Sequence, residues 1–278
     1  MGRMTIASPV LVPAATTLPP APEREALKAQ LDAALITGQV ATPRENNRAH
    51  YRSLADGDRY YWLGLDLGDR WADETDVLAV MAERCGVSPD PAHLAGQDTI
   101  SAELCVSALE RVAGLLRNAA VLGQRVLFAT GHPGSMLPVY QDFARALASA
   151  GAQVLLPPGG VRFGDQDIRR VGHVAVVQRR GNLPHTHAAE PMRALLDRLE
   201  AEGTGLPELV VADHGWAGAA ASRGLPTAGF ADCNDPALFV GEAEGTLAVT
   251  VPLDDGVSPD LYEPMTSYVL RTAGLHAA

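Results

Sequence analysis

Lysine is almost absent. Lys28 is the only one among 22 basic side chains, and it sits in the charged, helically spaced stretch EREALKAQLD. That scarcity excludes Schiff-base and pyridoxal chemistry, a Walker-type Gly-Lys-Ser/Thr loop, and the lysine used by haloacid-type phosphatases. Cysteine is nearly as scarce: Cys85, Cys105 and Cys233 are odd in number and form no C-x-x-C, so neither a disulfide framework nor a zinc knuckle is implied. A reducing, cytoplasmic setting fits. Positive charge is also short, with 33 acidic residues giving a formal net charge of -11 and no run of arginines, so no nucleic-acid surface is expected. No stretch approaches the roughly 20 apolar residues that span a bilayer, so no membrane partner is expected either.

What is present is 278 residues, 47% of them hydrophobic, enough for a sizeable core. Residues 1–22 carry Pro9, Pro13, Pro19, Pro20 and Pro22 and read as a flexible or surface-draped arm. Residues 23–122 read as a helical cap region. Its first helix carries Leu27, Leu31, Ala34 and Leu35 on one stripe, and a second carries Val77, Leu78 and Met81. A third, capped by Ser101, runs through Leu116. Between the first two, TPRENNRAHYRSLADGDRYYWLGLDL has no clean period and reads as a capping or functional loop. From residue 123 onward short Val- and Leu-rich runs alternate with Ala-rich helical segments. Strands are expected at 125–130, 153–157, 173–178, 208–213, 226–232 and 246–253, with helices between them. This predicts an α/β fold, a Rossmann-like three-layer sandwich with a mainly parallel sheet and an N-terminal helical addition.

In such a sheet ligands bind beyond the carboxyl ends of the strands, so the polar residues that follow each strand are the candidates. After the first come Thr130, Gly131, His132, Gly134 and Ser135, small residues before a helix that suit an anion; the plainer reading is a glycine-rich turn. ADHGWAG places Asp213 beside His214, able to orient a base, ligate a metal, or merely cap a helix. GFADCNDPALF offers Asp232, Asn234 and Asp235 as hard oxygen ligands suited to Mg²⁺ or Mn²⁺. N-D-P is also a helix-cap sequence, so Asp232 is taken as functional and Asp235 as the cap. Asp254 and Asp255 follow the last strand as another ligand pair or an Asp-Gly turn, and the turn is preferred. GNLPHTHAAEPM holds His185 and His187 in an H-x-H whose imidazoles can face one ligand. The C-x5-R spacing of Cys105 and Arg111 lies inside a predicted helix without glycine and is discarded as a phosphate loop.

Taken in order, the blocks GQDTISAELCVSALERVAGLL, RVLFATGHPGSMLPVYQDFARALASAGAQVL, GNLPHTHAAEPM and VVADHGWAGAAASRGLPTAGFADCNDPALFVGEAEG resemble a family of actinobacterial proteins labelled as phosphatases, over about residues 40–270. RGLPTAGFADCNDP also looks like a strand and turn of ribosomal protein S2, which bears on fold and not on ribosomal function. The resemblance implies hydrolysis of a small phosphorylated metabolite. Two routes are open. In one, a divalent metal, Mg²⁺ or Mn²⁺, on Asp232, Asn234 and Asp213 activates water. In the other, His132 or His214 acts as nucleophile or general acid while arginines hold the phosphate. The first is preferred, with His132 and His214 as acid-base candidates. Thr130, Gly131, Gly134, Ser135, His185 and His187 would bind substrate, and Arg44, Asn47 and Arg48 would close as a lid; a solvated connector is the alternative for that loop. A sugar-phosphate isomerase or aldolase-like enzyme, and a non-catalytic sensor of a phosphorylated metabolite, are the competing functions. Tyr60, Tyr61 and Trp62 would suit the seam of a homodimer.

Overall fold

The computed structural model describes residues 18–275. Most of the expected N-terminal arm lies outside them. Its described end lies along the last helix, where Ser267 Oγ donates to Pro19 O at 2.7 Å and Arg271 Nη2 to Pro22 O at 2.5 Å.

The chain begins with α1 (Arg24–Ala33), β1 (Gly38–Pro43), α2 (Arg44–Ala55), α3 (Glu74–Arg84), β2 (Gln97–Ile100) and α4 (Ala102–Leu122). It continues with β3 (Arg125–Ala129), α5 (Leu137–Ser149), β4 (Gln153–Val154), β5 (Arg162–Phe163), β6 (Gln166–Val171) and β7 (Val174–Gln178). It closes with α6 (Glu190–Ala201), β8 (Leu209–Asp213), α7 (His214–Ser222), β9 (Thr227–Ala231), α8 (Pro236–Ala243), β10 (Val249–Pro252) and α9 (Glu263–Ala273). The fold is α/β with a mixed, mostly parallel sheet in the order β10-β9-β8-β3-β7-β6-β5, with β4 beside the start of β3. The strands from β10 to β7 are parallel, whereas β6 and β5 are antiparallel additions at one edge. β1 and β2 form a separate antiparallel pair.

The sheet is buried on both faces because its strands are apolar at successive positions. Val126 and Phe128 of β3 join one core with Leu109 and Val112 of α4, Phe143 of α5 and Val269 of α9. Leu127 and Ala129 point the other way, into a core with Leu195 of α6, Trp216 of α7, Phe239 of α8, Tyr51 of α2 and Leu78 of α3. Ser101 Oγ accepts from Leu104 N at the start of α4, and Gly123 in the left-handed conformation ends it, one turn and a half beyond the expected Leu116. Cys105 lies buried within this helix, away from any phosphate loop. Among the described residues no helix is long and apolar enough to cross a membrane.

Three expectations need correction. The segment read as an irregular loop is β1 followed by α2, hidden because the buried stripe of α2 is Arg44, Asn47, Tyr51 and Leu54, mostly polar. β5 and β6 were not foreseen, since only Ile168 among their residues is buried while Arg162, Arg169 and Asp167 face outward, as suits a charged sheet edge. Leu35 has a positive φ of 58° after α1 ends and is exposed, and Ile36 takes its place in the core. Of the aromatics suggested for a dimer seam, Trp62 is buried with Nε1 donating to Leu54 O, Tyr61 packs on His50, and Tyr60 is exposed.

Candidate active site

Loops that leave the carboxyl ends of five neighbouring parallel strands bring four histidines and five aspartates together: His132 after β3, His185 and His187 after β7, Asp213 and His214 at β8, Asp232 and Asp235 after β9, and Asp254 and Asp255 after β10. The imidazoles pack ring to ring. Centroids of His132 and His185 lie 4.4 Å apart, His187 and His214 4.4 Å, and His185 and His214 4.9 Å.

The backbone that delivers them is under constraint. His214 opens α7 with φ 45°, a left-handed conformation unfavourable for a residue with a Cβ, which the packing of the buried turn must hold. The His185–His187 segment docks directly on the turns after β3 and β8: Thr186 N donates to Gly131 O at 2.8 Å. A Cβ on Gly131 would lie 2.2 Å from Thr186 O, and one on Gly215 would lie 2.2 Å from His187 O. Glycine at both positions is what lets the H-x-H strip reach the centre.

Asp213 works by holding others. Its Oδ1 accepts from Gly131 N at 2.5 Å and meets His214 Nδ1 at 3.2 Å, while Oδ2 accepts from Thr130 Oγ1 at 2.5 Å. With Nδ1 anchored, the Nε2 of His214 faces Asp235 Oδ2 at 3.1 Å and Asp255 Oδ2 at 3.4 Å. This is the arrangement of a carboxylate, a histidine and a ligand position in line. Burial acts to lower the His214 pKa, but Asp235, Asp213 and Asp255 outweigh it and hold the imidazole well above its usual range. Asp235 is correspondingly held down at about 2: burial pushes it up, and His214, His187 and His50 overcome that. His187, by contrast, falls to about 4, driven first by burial and further by His214. Burial and the neighbouring imidazoles lower His185 too, whereas Asp255 lifts His132 against burial.

Three groups of side chains present ligand atoms within 4.8 Å of one another: His132, His185 and His214; His187, His214 and Asp235; and Asp232, Asp254 and Asp255. Residues able to hold a metal are therefore present. Two buried atoms of these groups, His132 Nδ1 and Asp255 Oδ2, meet only charged groups of the site itself. His132 Nδ1 lies 3.0 Å from Asp255 Oδ1. In the third group burial, reinforced by Asp255 and Asp254, pushes the Asp232 carboxyl well above its usual pKa. Crowded buried carboxylates of this kind are satisfied by a proton or a cation.

The remaining sequence candidates take other positions. Asp213 belongs to none of the three groups. The backbone O of Asn234 accepts from His50 Nδ1 of α2 at 2.7 Å, and the residue lines a cavity with Asp232 and Asp254. Thr130 and Gly131 direct their donors to Asp213, and Ser135 Oγ donates to Asp255 O, so these groups brace the carboxylates; Gly134 is exposed. Asn47 donates to Asp98 at 2.9 Å and lies 3.2 Å from Cys233 Sγ. Arg48 is held by Glu74 at 2.5 Å and donates to Pro91 O, and Arg44 is buried against Asp98. Of these side chains only Asn47 reaches the β9–α8 loop, through Cys233, whereas Arg44 and Arg48 contact residues between 74 and 98.

Sequence reasoning passed over two of the central carboxylates. Asp235 precedes α8 as a cap would, but its side chain makes no capping hydrogen bond and turns to His214 and His187. Asp254 makes the expected turn contact to Gly256 N at 2.8 Å, while its neighbour Asp255 reaches the histidines. The signal available was position alone: both follow a strand at the same sheet edge as the histidines.

Comparison with known proteins gives the family. A model of the family described as Phosphatase matches residues 22–277. A Streptomyces coelicolor protein named as a phosphatase is 58% identical over 259 residues, covering 93% of this chain and 99% of that relative. On the strength of that match, which takes in every strand and every histidine of the site, the chain belongs to the phosphatase family.

Proposed function

We propose that the protein is a phosphomonoester hydrolase that acts on a small phosphorylated metabolite with the help of divalent metal. The observation that carries this reading is the convergence of nitrogen and oxygen ligand atoms from five adjacent strand ends, with the carboxylates of Asp232, Asp254 and Asp255 buried within 4.8 Å of one another. The frame would be a Rossmann-like three-layer sandwich carrying residues 23–122 as a cap. The donor set fits a metal. His132, His185, His187, His214, Asp235 and Asp255 would hold it, with Asp232 and Asp254 beside them. Because imidazoles join the carboxylates, Mn²⁺ or Zn²⁺ suits the histidine side better than the Mg²⁺ that the oxygen ligands alone would favour. When bound, such an ion supplies positive charge against the phosphoryl oxygens and acidifies water.

The chain's own residues do the rest. Asp213 fixes the ring of His214 through Nδ1 so that Nε2 stays aimed into the centre. Thr130 and Gly131 fix Asp213, and Ser135 fixes the Asp255 backbone, so the charged groups need little reorganisation as charge develops. His185 is exposed at the mouth of the site and His132 is partly so. They are the imidazoles nearest the incoming substrate, and the one left free of the metal would serve as the proton donor to the leaving alcohol. His214, almost wholly buried, is a positioning group rather than the proton donor to solvent.

The test is phosphate release from a panel of phosphorylated metabolites, with Mg²⁺, Mn²⁺, Zn²⁺ or a chelator, paired with elemental analysis of the purified chain. Metal-dependent turnover, lost in Asp255→Asn and His187→Gln together with bound metal, is expected. Proton exchange at a substrate carbon without phosphate release would favour the isomerase or aldolase-like reading. Ligand-induced thermal stabilisation without any turnover would favour a sensor.

A further inference from the structure

Beyond the histidines lies a wall that the metal-ligand set does not use. A cavity of about 610 Å³ opens from His185 and His187 and runs between residues 59–65 and the first turn of α6. That volume is within the range of small-molecule sites, roughly 300–1,000 Å³, and far exceeds a phosphoryl group. At its mouth the Tyr60 ring is 59% exposed, yet it is not loose: it stacks on His187 with centroids 5.5 Å apart and planes 11° from parallel. One face of the phenol is thus fixed against the centre, Tyr61 meets the ring nearly at right angles with centroids 5.2 Å apart, and more than half of the residue stays open to solvent. Leu63 and Leu65 add apolar lining.

Two guanidinium groups share this cavity. Arg59 lies over the Trp62 ring at 3.9 Å, and Arg193 donates to Gly64 O at 3.2 Å, so both are positioned by the wall. Their side chains are nevertheless 70% and 50% exposed. Their acidic partners, Asp66 at 3.2 Å and Glu190 at 3.8 Å, form solvent-exposed pairs that hold weakly and exchange readily for another anion. In a chain of net charge -11 whose metal-ligand set is itself rich in carboxylates, two cations on one cavity are out of keeping with their surroundings. The transferred phosphoryl group has its own place at the centre, so they are available for negative charge elsewhere on the substrate.

We infer that this cavity receives the alcohol portion of the substrate, and that the substrate class is a phosphomonoester bearing a flat ring, which stacks on Tyr60, and a second anionic group, which meets Arg59 and Arg193. The inference rests on the hydrolase reading above. Tyr60 and the two arginines are then specificity residues, and binding strength more than chemistry depends on them.

Three phosphonates that cannot be hydrolysed test it by calorimetry on the metal-loaded full chain: butylphosphonate, benzylphosphonate and 4-carboxybenzylphosphonate. Affinity should rise along the series, roughly three- to tenfold for the ring and roughly two- to fivefold for the carboxylate. Tyr60→Ala should collapse the benzyl-to-butyl ratio and Tyr60→Phe should keep it, while Arg193→Leu and Arg59→Leu should collapse the carboxybenzyl-to-benzyl ratio. With the matching phosphates as substrates the same ratios should appear in KM and not in kcat. Equal affinity for all three phosphonates, or a benzyl preference that survives Tyr60→Ala, overturns the inference even if the phosphates are hydrolysed. A preference that follows Tyr60 while no phosphate is ever released supports the cavity and overturns the hydrolase reading instead.

Discussion

Two assemblies of buried charge meet at the β9–α8 loop, and they are built on opposite principles. In the N-terminal elements, Arg44 of α2 and Asp98 of β2 are both wholly buried and both complete. Arg44 donates from Nη1 to Asp98, from Nε to His93 O and from Nη2 to Ser88 O, while Asp98 also accepts from Asn47, Ser88 N and Thr99 N. At the strand ends the burial is comparable, but carboxylates gather with carboxylates and face only histidines as their cations. Burying unpaired or like charge is costly unless something compensates it. The first assembly supplies its own compensation and therefore acts as a structural pin. The second is arranged for a cation and substrate, and Asn47, bonded to Asp98 on one side and 3.2 Å from Cys233 Sγ on the other, ties the frame of one to the loop of the other.

Breaking each assembly should give opposite signatures. Arg44→Leu leaves Asp98 charged and buried without its cation, and should cost about 3–5 kcal/mol in urea unfolding, with or without added metal. Asp255→Asn should lower kcat by about 100-fold or more, since even residues behind metal ligands commonly account for 10- to 100-fold. Yet its melting temperature without metal should not fall, because Asp255 stands among Asp232 and Asp254. A loss of metal-free stability in Asp255→Asn as large as that in Arg44→Leu would erase the distinction. Gly131→Ala is gentler: the added methyl would meet Thr186 O and push back the H-x-H strip, reducing activity about 10- to 100-fold with weaker metal binding in a titration, while unfolding remains cooperative.

The same contrast explains what could be read without coordinates. The parallel strands were legible because β3, β8 and β9 are apolar at nearly every position, as strands covered on both faces must be. α2 was not, because the residues it buries include Arg44 and Asn47, whose partners lie some 50 residues away in sequence. Likewise His132, His185, His187 and His214 stood out as imidazoles after strands, even though a turn, a helix cap or a solvated position was open to each. Asp235 and Asp255 sat in N-D-P and D-D-G sequences that have a complete local explanation as cap and turn. Only the order β10-β9-β8-β3-β7, which no local pattern encodes, aims their side chains at His214.

A third kind of ion pair bounds the comparison from below. On the surface, Glu103 of α4 receives Arg24 at 2.5 Å and Lys28 at 3.1 Å from α1. The hydrogen bond from Arg24 first, and that from Lys28 second, lowers the Glu103 pKa from 4.5 to about 2. A carboxyl whose pKa is depressed on folding stabilises the native state above its unfolded value and loses that contribution as the pH falls through its folded value. Glu103→Gln should therefore lower the melting temperature slightly at pH 7, and the difference from the parent should shrink between pH 4.5 and about 2. Because the pair is solvent-exposed, about 1 M salt should shrink it as well, with a Debye length near 3 Å. The Arg44→Leu deficit, shielded from solvent, should persist in the same salt. If both deficits respond alike to salt, Arg44 and Asp98 are not the sealed pair that their burial describes.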